Sequence, residues 1–217
     1  MADATDGGAA LTRRDGGPAL VLASGSPRRR ALLGRLGIAF TVTIPDIDET
    51  PVPGESPTAY VERLARTKAT TAAARSHHHE RDEVVLAADT TVDVDGDIVG
   101  KPADAAEAAA TLARLSGRDH LVHTGVAVHR GDRLVSSVTT STVRFHPLGT
   151  DLIAAYVATG EPLDKAGGYG LQGEGRGLVA AIEGSASNVI GLPMAQTGAL
   201  LAAVGFEPVQ WGPPRPS

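Results

Sequence analysis

The chain has 217 residues, of which 20 are Lys or Arg and 25 are Asp or Glu, giving a formal net charge of −5. This balance argues against a protein that binds nucleic acid through a general basic excess. The absence of cysteine excludes a disulfide framework, a zinc ribbon and a thiol nucleophile. The sequence has no long apolar run, so we predict no transmembrane helix and no membrane partner.

The two ends of the chain differ in composition from its middle. Residues 1–17 are polar, rich in Gly and Asp, and lack the apolar stretch of a secretory signal. We therefore predict a disordered extension over residues 1–17, one folded domain over 18–207 and a loose Pro-rich tail over 208–217. A cytoplasmic location is the matching expectation.

The first part of the domain is predicted to alternate strands and helices. A short apolar run predicts a buried strand over residues 18–23. Ser26-Pro27 then supplies an N-cap and a first helical residue for a helix over residues 28–36. The next predicted elements are a strand, an acidic loop and a long helix, over residues 38–43, 45–55 and 58–75.

The second part mixes hairpins with helices. A buried strand is predicted over residues 84–88, with Asp89 at its C-terminal end, and Asp95-Gly96 predicts a type I′ turn in a following hairpin of residues 90–94 and 97–99. The next predictions are a helix over residues 103–115, a long antiparallel hairpin of residues 120–129 and 133–145, and a helix over residues 150–158. A Gly-rich loop over residues 160–177, a strand over 178–182 and a helix over 193–204 complete the domain. This order predicts an α/β fold with a mixed sheet and flanking helices.

A basic turn joins the first predicted strand to the first helix, and it reads Ser-Gly-Ser-Pro-Arg-Arg-Arg over residues 24–30. Backbone N–H groups at a helix N-terminus favour an anion, and arginines in the first turn can clamp phosphate. The turn lacks the Lys-Ser/Thr ending of a Walker A loop. An ordinary helix cap with a solvated basic turn is the alternative.

Acidic side chains form two further candidate groups. Asp46, Asp48 and Glu49 offer oxygen ligands for a divalent cation, although a solvated acidic loop is the favoured explanation for this pattern alone. Asp89 follows a buried strand, where ligands collect in open α/β sheets, and Lys101 lies between Gly100 and Pro102 on a loop. A strand-end Asp that caps the next turn is the alternative here.

A Gly-rich loop and a histidine run complete the candidates. The loop over residues 160–173 carries Asp, Lys, Tyr and Gln side chains that could read a nucleobase edge, or it is a plain irregular loop. The three histidines at 77–79 lie in a charged linker, and consecutive residues point in different directions, so we do not predict a metal site there.

Seven segments between residues 20 and 205 read, in order, LVLASGSPRRRALLGRLGIAF, ARTKA, LAADT, GKP, LSGRDHLVHTGVAV, GEPLDKAGGYGLQG and NVIGLP. Together they resemble the Maf family of nucleoside triphosphate pyrophosphatases. The resemblance implies an elongated mixed α/β fold with two lobes around a central cleft, similar to that of inosine triphosphate pyrophosphatases. It also implies hydrolysis between the α- and β-phosphates, a divalent cation (Mg²⁺ or Mn²⁺) and a homodimer.

The resemblance, carried over position by position, implies roles for individual residues. Asp89 matches the catalytic proton acceptor, and it would share the metal with Glu49. The implied phosphate-binding residues are Ser24, Arg29, Lys68 and Lys101, of which the two lysines also count as catalytic. Base choice is expected to depend on Arg28, Thr90 and Gln172. Thr90 after the Asp, and the Tyr-Gly-Leu-Gln-Gly pattern at 169–173, resemble the dTTP/UTP branch rather than the 7-methyl-GTP branch.

The function expected from the sequence is therefore hydrolysis of nucleoside triphosphates to the monophosphate and diphosphate. We expect dTTP and UTP to be favoured, and modified pyrimidine nucleotides to be substrates if the enzyme has a house-cleaning role. The alternative is a nucleotide-sensing regulator of septum formation with little turnover. A nucleic-acid-binding protein is disfavoured because the charge is negative and no aromatic platform is evident.

Overall fold

The computed structural model describes residues 18–75 and 82–206. The predicted N-terminal extension, the three histidines at 77–79 and the Pro-rich tail lie outside the described residues. Within them, no helix is long and apolar enough to cross a membrane.

Seven strands and six helices make up the described part of the chain, with three short 3₁₀ turns between α4 and β7. In chain order they are β1 (Ala19–Ala23), α1 (Pro27–Gly34), β2 (Phe40–Thr43), α2 (Pro57–Arg75), β3 (Glu83–Val94), β4 (Asp97–Val99), α3 (Ala105–Leu115), β5 (Asp119–Arg130), β6 (Arg133–Phe145), α4 (Thr150–Ala158), the 3₁₀ turns Glu161–Asp164, Ala166–Gly168 and Glu174–Leu178, β7 (Val179–Glu183), α5 (Ala186–Ile190) and α6 (Met194–Ala203).

The seven strands form one mixed sheet in the order β2-β1-β3-β5-β6-β7, with β4 paired to β3. β1 runs parallel to both β2 and β3, and all other pairs are antiparallel. The predicted mixed α/β fold is confirmed, as are both predicted hairpins. At the turn between β3 and β4, Asp95 and Gly96 have φ angles of 58° and 89°, as a type I′ turn requires.

The predicted end of the third strand at residue 88 is wrong, because β3 continues through Asp89 to Val94. β5 pairs with β3 along one edge without a break, from Val85 opposite His129 to Asp93 opposite Leu121. On the other edge, β1 pairs with β3 only as far as Leu86, and β4 pairs with β3 only from Val92 to Val94. Asp89 is therefore a mid-strand residue, beside a gap where no described strand pairs with β3.

Two local elements differ from the sequence prediction. The Gly-rich segment predicted as a loop is folded into the three 3₁₀ turns. The five-residue helix α5 was not predicted, because it is too short to show a helical period. Its one local signal is Ser185, whose side chain accepts a hydrogen bond from the Asn188 backbone N–H and caps the helix.

Three apolar clusters hold the elements together. One gathers β1, α1, α6 and the first half of β3, and a second gathers the end of β3 with α3, α4 and the Gly-rich segment. Both lie on one face of the sheet, since they contain alternate residues of β3 such as Leu86 and Val92. The third is an alanine-rich contact on the opposite face, beneath α2. The elements on the first face therefore pack in two groups, one against each half of β3, and the two lobes around a central cleft remain a prediction.

The contact between α2 and β5 depends on a glycine. A Cβ atom placed on Gly125 would lie 2.6 Å from the Val61 carbonyl carbon and 2.9 Å from the Glu62 nitrogen. Both are backbone atoms of α2, so they cannot move aside as a flexible side chain could. Gly125 lies opposite Asp89 in the β3–β5 ladder, so this close approach sets the distance of α2 from the middle of β3.

We predict that Gly125→Ala destabilises the protein by about 1–3 kcal/mol, the usual cost of overpacking a well-packed contact. The measurement is the free energy of unfolding in urea. Gly198→Ala is the matched control, because Gly198 lies in α6 with no atom within 4 Å of an added Cβ. This control should leave stability unchanged or raise it by up to about 1 kcal/mol. Equal stability of the two variants would contradict the prediction.

Candidate active site

A cavity of about 620 Å³ opens at the gap in the β3 edge, between the C-terminal ends of β1 and β4. Its walls come from the β1–α1 turn, the loop after β2, α2, β3, the segment after β4 and the Gly-rich segment. Eight of the nine residues predicted for the site line it: Ser24, Arg28, Arg29, Glu49, Lys68, Asp89, Thr90 and Lys101. Gln172 is exposed and does not line the cavity, although its neighbour Leu171 does.

The basic turn is built by an N-cap. The Ser26 hydroxyl oxygen accepts a hydrogen bond from the Arg29 backbone N–H at 3.4 Å, and Pro27 opens the helix. The Ser26 backbone N–H in turn donates to the hydroxyl of the buried Ser24 at 3.2 Å. The helix N-terminus and Ser24 therefore face the cavity together, which is the arrangement expected of an anion site.

Arg29 organises the side of the cavity opposite α2. Its guanidinium donates to the Gly191 carbonyl at 2.8 Å, to the Ser24 hydroxyl at 3.2 Å and to the Thr90 hydroxyl at 3.0 Å. Burial lowers the pKa of Arg29, and the nearby Asp89 carboxylate opposes that change. A guanidinium keeps its charge in proteins, so Arg29 is a fixed cation. Three of its five N–H groups are used, which leaves two for a ligand.

Lys68 joins two carboxylates across the cavity. Its ammonium Nζ lies 2.5 Å from Asp89 Oδ1 and 2.7 Å from Glu49 Oε1. Lys68 and Asp89 are each only 8% exposed, whereas the Glu49 side chain is 53% exposed. Alternation along β3 turns Asp89 toward the face that α2 covers, and Lys68 extends from α2 to meet it.

The loop after β2 is fastened to α2 by side chains that the sequence reasoning had not selected. The Tyr60 hydroxyl donates to the Glu49 carbonyl at 2.9 Å. Arg63 forms a bidentate ion pair with Glu55, both contacts being 2.7 Å, and donates to the Thr50 carbonyl. Burial, together with the carboxylates of Asp89 and Glu49, raises the pKa of Tyr60 to about 12, so its hydroxyl remains a donor.

Of the three acidic residues suggested on this loop, only Glu49 lines the cavity. Asp48 instead accepts a hydrogen bond from the Thr50 backbone N–H at 2.8 Å and closes a local turn. The Thr50 side chain, followed by this backbone hydrogen bond, lowers the pKa of Asp48. Asp46 is exposed and away from the cavity wall, so the solvated-loop alternative holds for both aspartates.

The mouth of the cavity is bridged between α1 and the Gly-rich segment. Arg28 donates to Asp164 Oδ2 at 2.8 Å, and Lys165 donates to Asp164 Oδ1 at 2.5 Å. Burial tends to raise the pKa of Asp164, but the hydrogen bonds from Lys165 and Arg28 outweigh it and lower that pKa. Asp164 and Lys165 are two of the loop side chains suggested from the sequence to read a nucleobase edge, but their ion pair with Arg28 was not predicted.

Lys101 and Thr90 meet the cavity in different ways. Lys101 is exposed on its wall with no hydrogen-bond or ion-pair partner among the described residues, and the neighbouring Gly100 carbonyl accepts from the Gly167 N–H at 2.9 Å. The Thr90 hydroxyl is engaged by Arg29 and lies 2.9 Å from the Thr124 hydroxyl. Lys101 is therefore free to bind a ligand, whereas Thr90 is held in place.

A buried pair anchors the Gly-rich segment to the sheet. Tyr169 lines the cavity, and its hydroxyl lies 2.7 Å from His120 Nε2 on β5. Phe145 packs edge-on against both rings, with centroids 5.0 Å and 4.7 Å away. Burial lowers the pKa of His120 to about 4, so the ring is neutral near pH 7. His120 was not selected from the sequence, whereas Tyr169 is one of the loop side chains suggested there to read a nucleobase edge.

The donors present suit a divalent cation. Within the described residues, no cluster of three or more His, Cys, Asp or Glu residues could hold a metal by itself. Glu49 Oε1 and Asp89 Oδ1 nevertheless converge on one cationic nitrogen, so two hard oxygen donors face a common point. Mg²⁺ commonly uses one or two carboxylates and takes its other ligands from water and substrate phosphates. Glu49 and Asp89 fit that pattern.

The sequence is similar to known proteins over most of its length. A family model described as Maf-like protein matches residues 19–204. The chain belongs to the Maf family. A dTTP/UTP pyrophosphatase from Myxococcus xanthus is 53% identical over 192 residues, covering 88% of this chain and 95% of the relative. One from Symbiobacterium thermophilum is 49% identical over 187 residues, covering 86% and 94%.

The family model and these relatives confirm the Maf family predicted from the sequence. A dTTP/UTP pyrophosphatase from Moorella thermoacetica is 52% identical over 195 residues, covering 89% of this chain and 97% of the relative. A solved nucleoside-triphosphatase / dITP/XTP pyrophosphatase from Mycobacterium abscessus aligns over 86% of this chain and 94% of its own. Its TM-score is 0.43 and its identity 19%, a likeness too low to bear on function.

We predict that His120 makes the stability of this Maf-family protein fall as the pH is lowered. Between the ordinary histidine pKa of about 6.5 and about 4, the unfolded chain binds a proton that the folded protein does not. As the pH falls across that range, the contribution of His120 to the free energy of unfolding decreases by about 3 kcal/mol. The measurement is the free energy of urea unfolding from pH 7 to pH 4.5.

The His120→Gln variant should show a shallower fall over this range, although it starts from lower stability. His146→Gln, at an exposed position, is the matched control and should keep the wild-type slope. The prediction fails if the His120→Gln and wild-type curves are parallel.

Proposed function

We propose that this chain is a nucleoside triphosphate pyrophosphatase that favours dTTP and UTP. The pyrophosphate-releasing class follows from curated relatives of that name, about half identical to this chain over most of its length. The observation that carries the assignment of the site is the convergence of Lys68, Glu49 and Asp89 in one cavity with a basic helix N-terminus.

The phosphates would lie along the β1–α1 turn. The N-terminus of α1 and the Ser24 hydroxyl offer donors, and the remaining N–H groups of Arg29 add charge-assisted ones. Lys101 also lines the cavity, and its ammonium would be free to bind a phosphate oxygen. A triphosphate held by these groups would have its negative charge offset, which favours departure of pyrophosphate.

The reaction needs a water molecule aimed at the α-phosphorus. Asp89 would orient this water and take its proton while the new P–O bond forms and the bond to the β-phosphate breaks. Glu49 and Asp89 would hold a Mg²⁺ or Mn²⁺ ion, which would supply Lewis-acid charge to the phosphates. Most of the acceleration would come from positioning and electrostatics rather than covalent chemistry.

The homodimer and the cytoplasmic location implied by the sequence remain predictions. Size-exclusion chromatography with light scattering would test the first, and fractionation of cells would test the second.

We predict that the purified protein releases pyrophosphate from dTTP and UTP in the presence of Mn²⁺. Lys101→Ala should lower kcat, because about 2–4 kcal/mol of transition-state stabilisation is lost. Asp89→Asn should lower it at least as much. The assay is pyrophosphate release across dTTP, UTP, CTP and GTP, with 5-methyl-UTP and pseudo-UTP included for a house-cleaning role. Arg66→Ala, on the exposed side of α2, is the control for losing a cation.

Two results would count against this site. Wild-type turnover in both Asp89→Asn and Lys101→Ala would remove those residues from the mechanism. Nucleotide binding without pyrophosphate release from any substrate would favour the nucleotide-sensing alternative.

Base choice is proposed to depend on Arg28, Thr90 and Gln172. Arg28 bridges the cavity mouth, Thr90 lies on the cavity wall, and Gln172 follows the wall residue Leu171. We predict that Gln172→Ala changes the ratio of kcat/KM for dTTP to that for GTP by about tenfold or more, while Glu174→Ala, an exposed neighbour, does not. An unchanged ratio would remove Gln172 from base recognition.

A further inference from the structure

The ammonium of Lys68 fills the point on which the two carboxylates converge. It lies within 2.7 Å of Glu49 Oε1 and 2.5 Å of Asp89 Oδ1, so a second cation between the same two oxygens would need the space it occupies. Lys68 is therefore a resident competitor for any metal ion that would bind these two carboxylates.

The pairing is tight because Lys68 and Asp89 are almost inaccessible to water. An unpaired buried charge costs several kcal/mol, so each of these two groups needs the other in the free protein. Lys68 also holds the carboxylates of Asp89 and Glu49 together, since without it two negative charges would face each other across the cavity.

Displaced alone, the ammonium has nowhere favourable to go. Besides Lys68 and its two carboxylates, the charged residues that line the cavity are the four cations Arg28, Arg29, Lys101 and Lys165 and one carboxylate. That carboxylate, Asp164, is already paired with Arg28 and Lys165. Bound phosphate would provide new acceptors within the same cavity. The four-carbon stem of a lysine is flexible enough to exchange one acceptor for another.

We propose that Lys68 holds the cation position between Glu49 and Asp89 in the free protein and gives it up only when a triphosphate offers its oxygens to the ammonium. Divalent metal and nucleotide then bind cooperatively, and metal alone binds poorly. The inference rests on the proposed function for the identity of the anion, but the competition between Lys68 and a metal ion depends only on the three side chains.

The experiment measures Mn²⁺ binding by the electron paramagnetic resonance signal of free Mn²⁺, with no turnover involved. Titrations are made with the wild type and Lys68→Met, each alone and with an α,β-imido analogue of dTTP, and are corrected for Mn²⁺ bound by the analogue itself. Wild type should bind Mn²⁺ at least tenfold more tightly with the analogue. Lys68→Met should bind nucleotide-free Mn²⁺ at least tenfold more tightly than wild type.

A matched control separates competition from a general change in charge. Arg66→Met removes a cation from the same helix, where Arg66 donates to Ser136 at 2.9 Å away from the carboxylates. This variant should bind nucleotide-free Mn²⁺ as the wild type does. Circular dichroism checks that Lys68→Met is folded, and if it is not, the two wild-type titrations decide the question alone.

Equal Mn²⁺ affinity of wild type with and without the analogue overturns the proposal, as does equal nucleotide-free affinity of wild type and folded Lys68→Met. Its failure is distinguishable from that of the proposed function. A protein that releases pyrophosphate from dTTP but lacks this coupling contradicts only the role of Lys68. A protein that shows the Lys68→Met effect without hydrolysing any nucleotide contradicts only the proposed function.

Discussion

The site depends on a strand that has a partner along one edge and a gap along the other. β5 holds β3 in register from Val85 to Asp93, so the backbone of β3 is rigid through its middle. On the opposite edge, the short β1 and the shorter β4 leave the middle of β3 without a neighbouring strand. A cavity can open there without loss of sheet structure, and its floor is as fixed as the core.

Because successive side chains of β3 point to opposite faces of the sheet, the functional side chains of the site lie on both faces. Asp89 faces α2 and meets Lys68, whereas the next residue, Thr90, faces the other side and meets Arg29. The anionic and cationic parts of the site are thus one residue apart in sequence but belong to different packing layers. Gly125 allows α2 to lie close to β5, because the glycine has no side chain between them, and this brings Lys68 of α2 near Asp89.

Much of this was accessible from the sequence, and the failures have physical causes. Apolar runs, Ser-Pro caps and Asp-Gly turns predicted most elements, and the family resemblance brought eight residues to one cavity. The end of β3 was misplaced because Asp89 and Thr90 interrupt an apolar pattern, while the β5 ladder that extends the strand is a long-range interaction. Tyr60 and His120 were missed because their roles depend on partners 11 and 49 residues away. Asp164 was suggested as a base-reading side chain, but its ion pair with Arg28 was missed because the two residues are 136 positions apart.

The bridge from Arg28 to Asp164 ties helix α1, which carries the phosphate turn, to the Gly-rich segment that we propose reads the base. Redesign of the Gly-rich segment to accept another base would also change the contact that positions Arg28, which is adjacent to Arg29 in the sequence. Base selectivity and phosphate affinity are therefore coupled through the ion pair between Arg28 and Asp164. Libraries aimed at new nucleotides should vary both sides of the bridge together, since a change at Asp164 leaves Arg28 without its carboxylate partner.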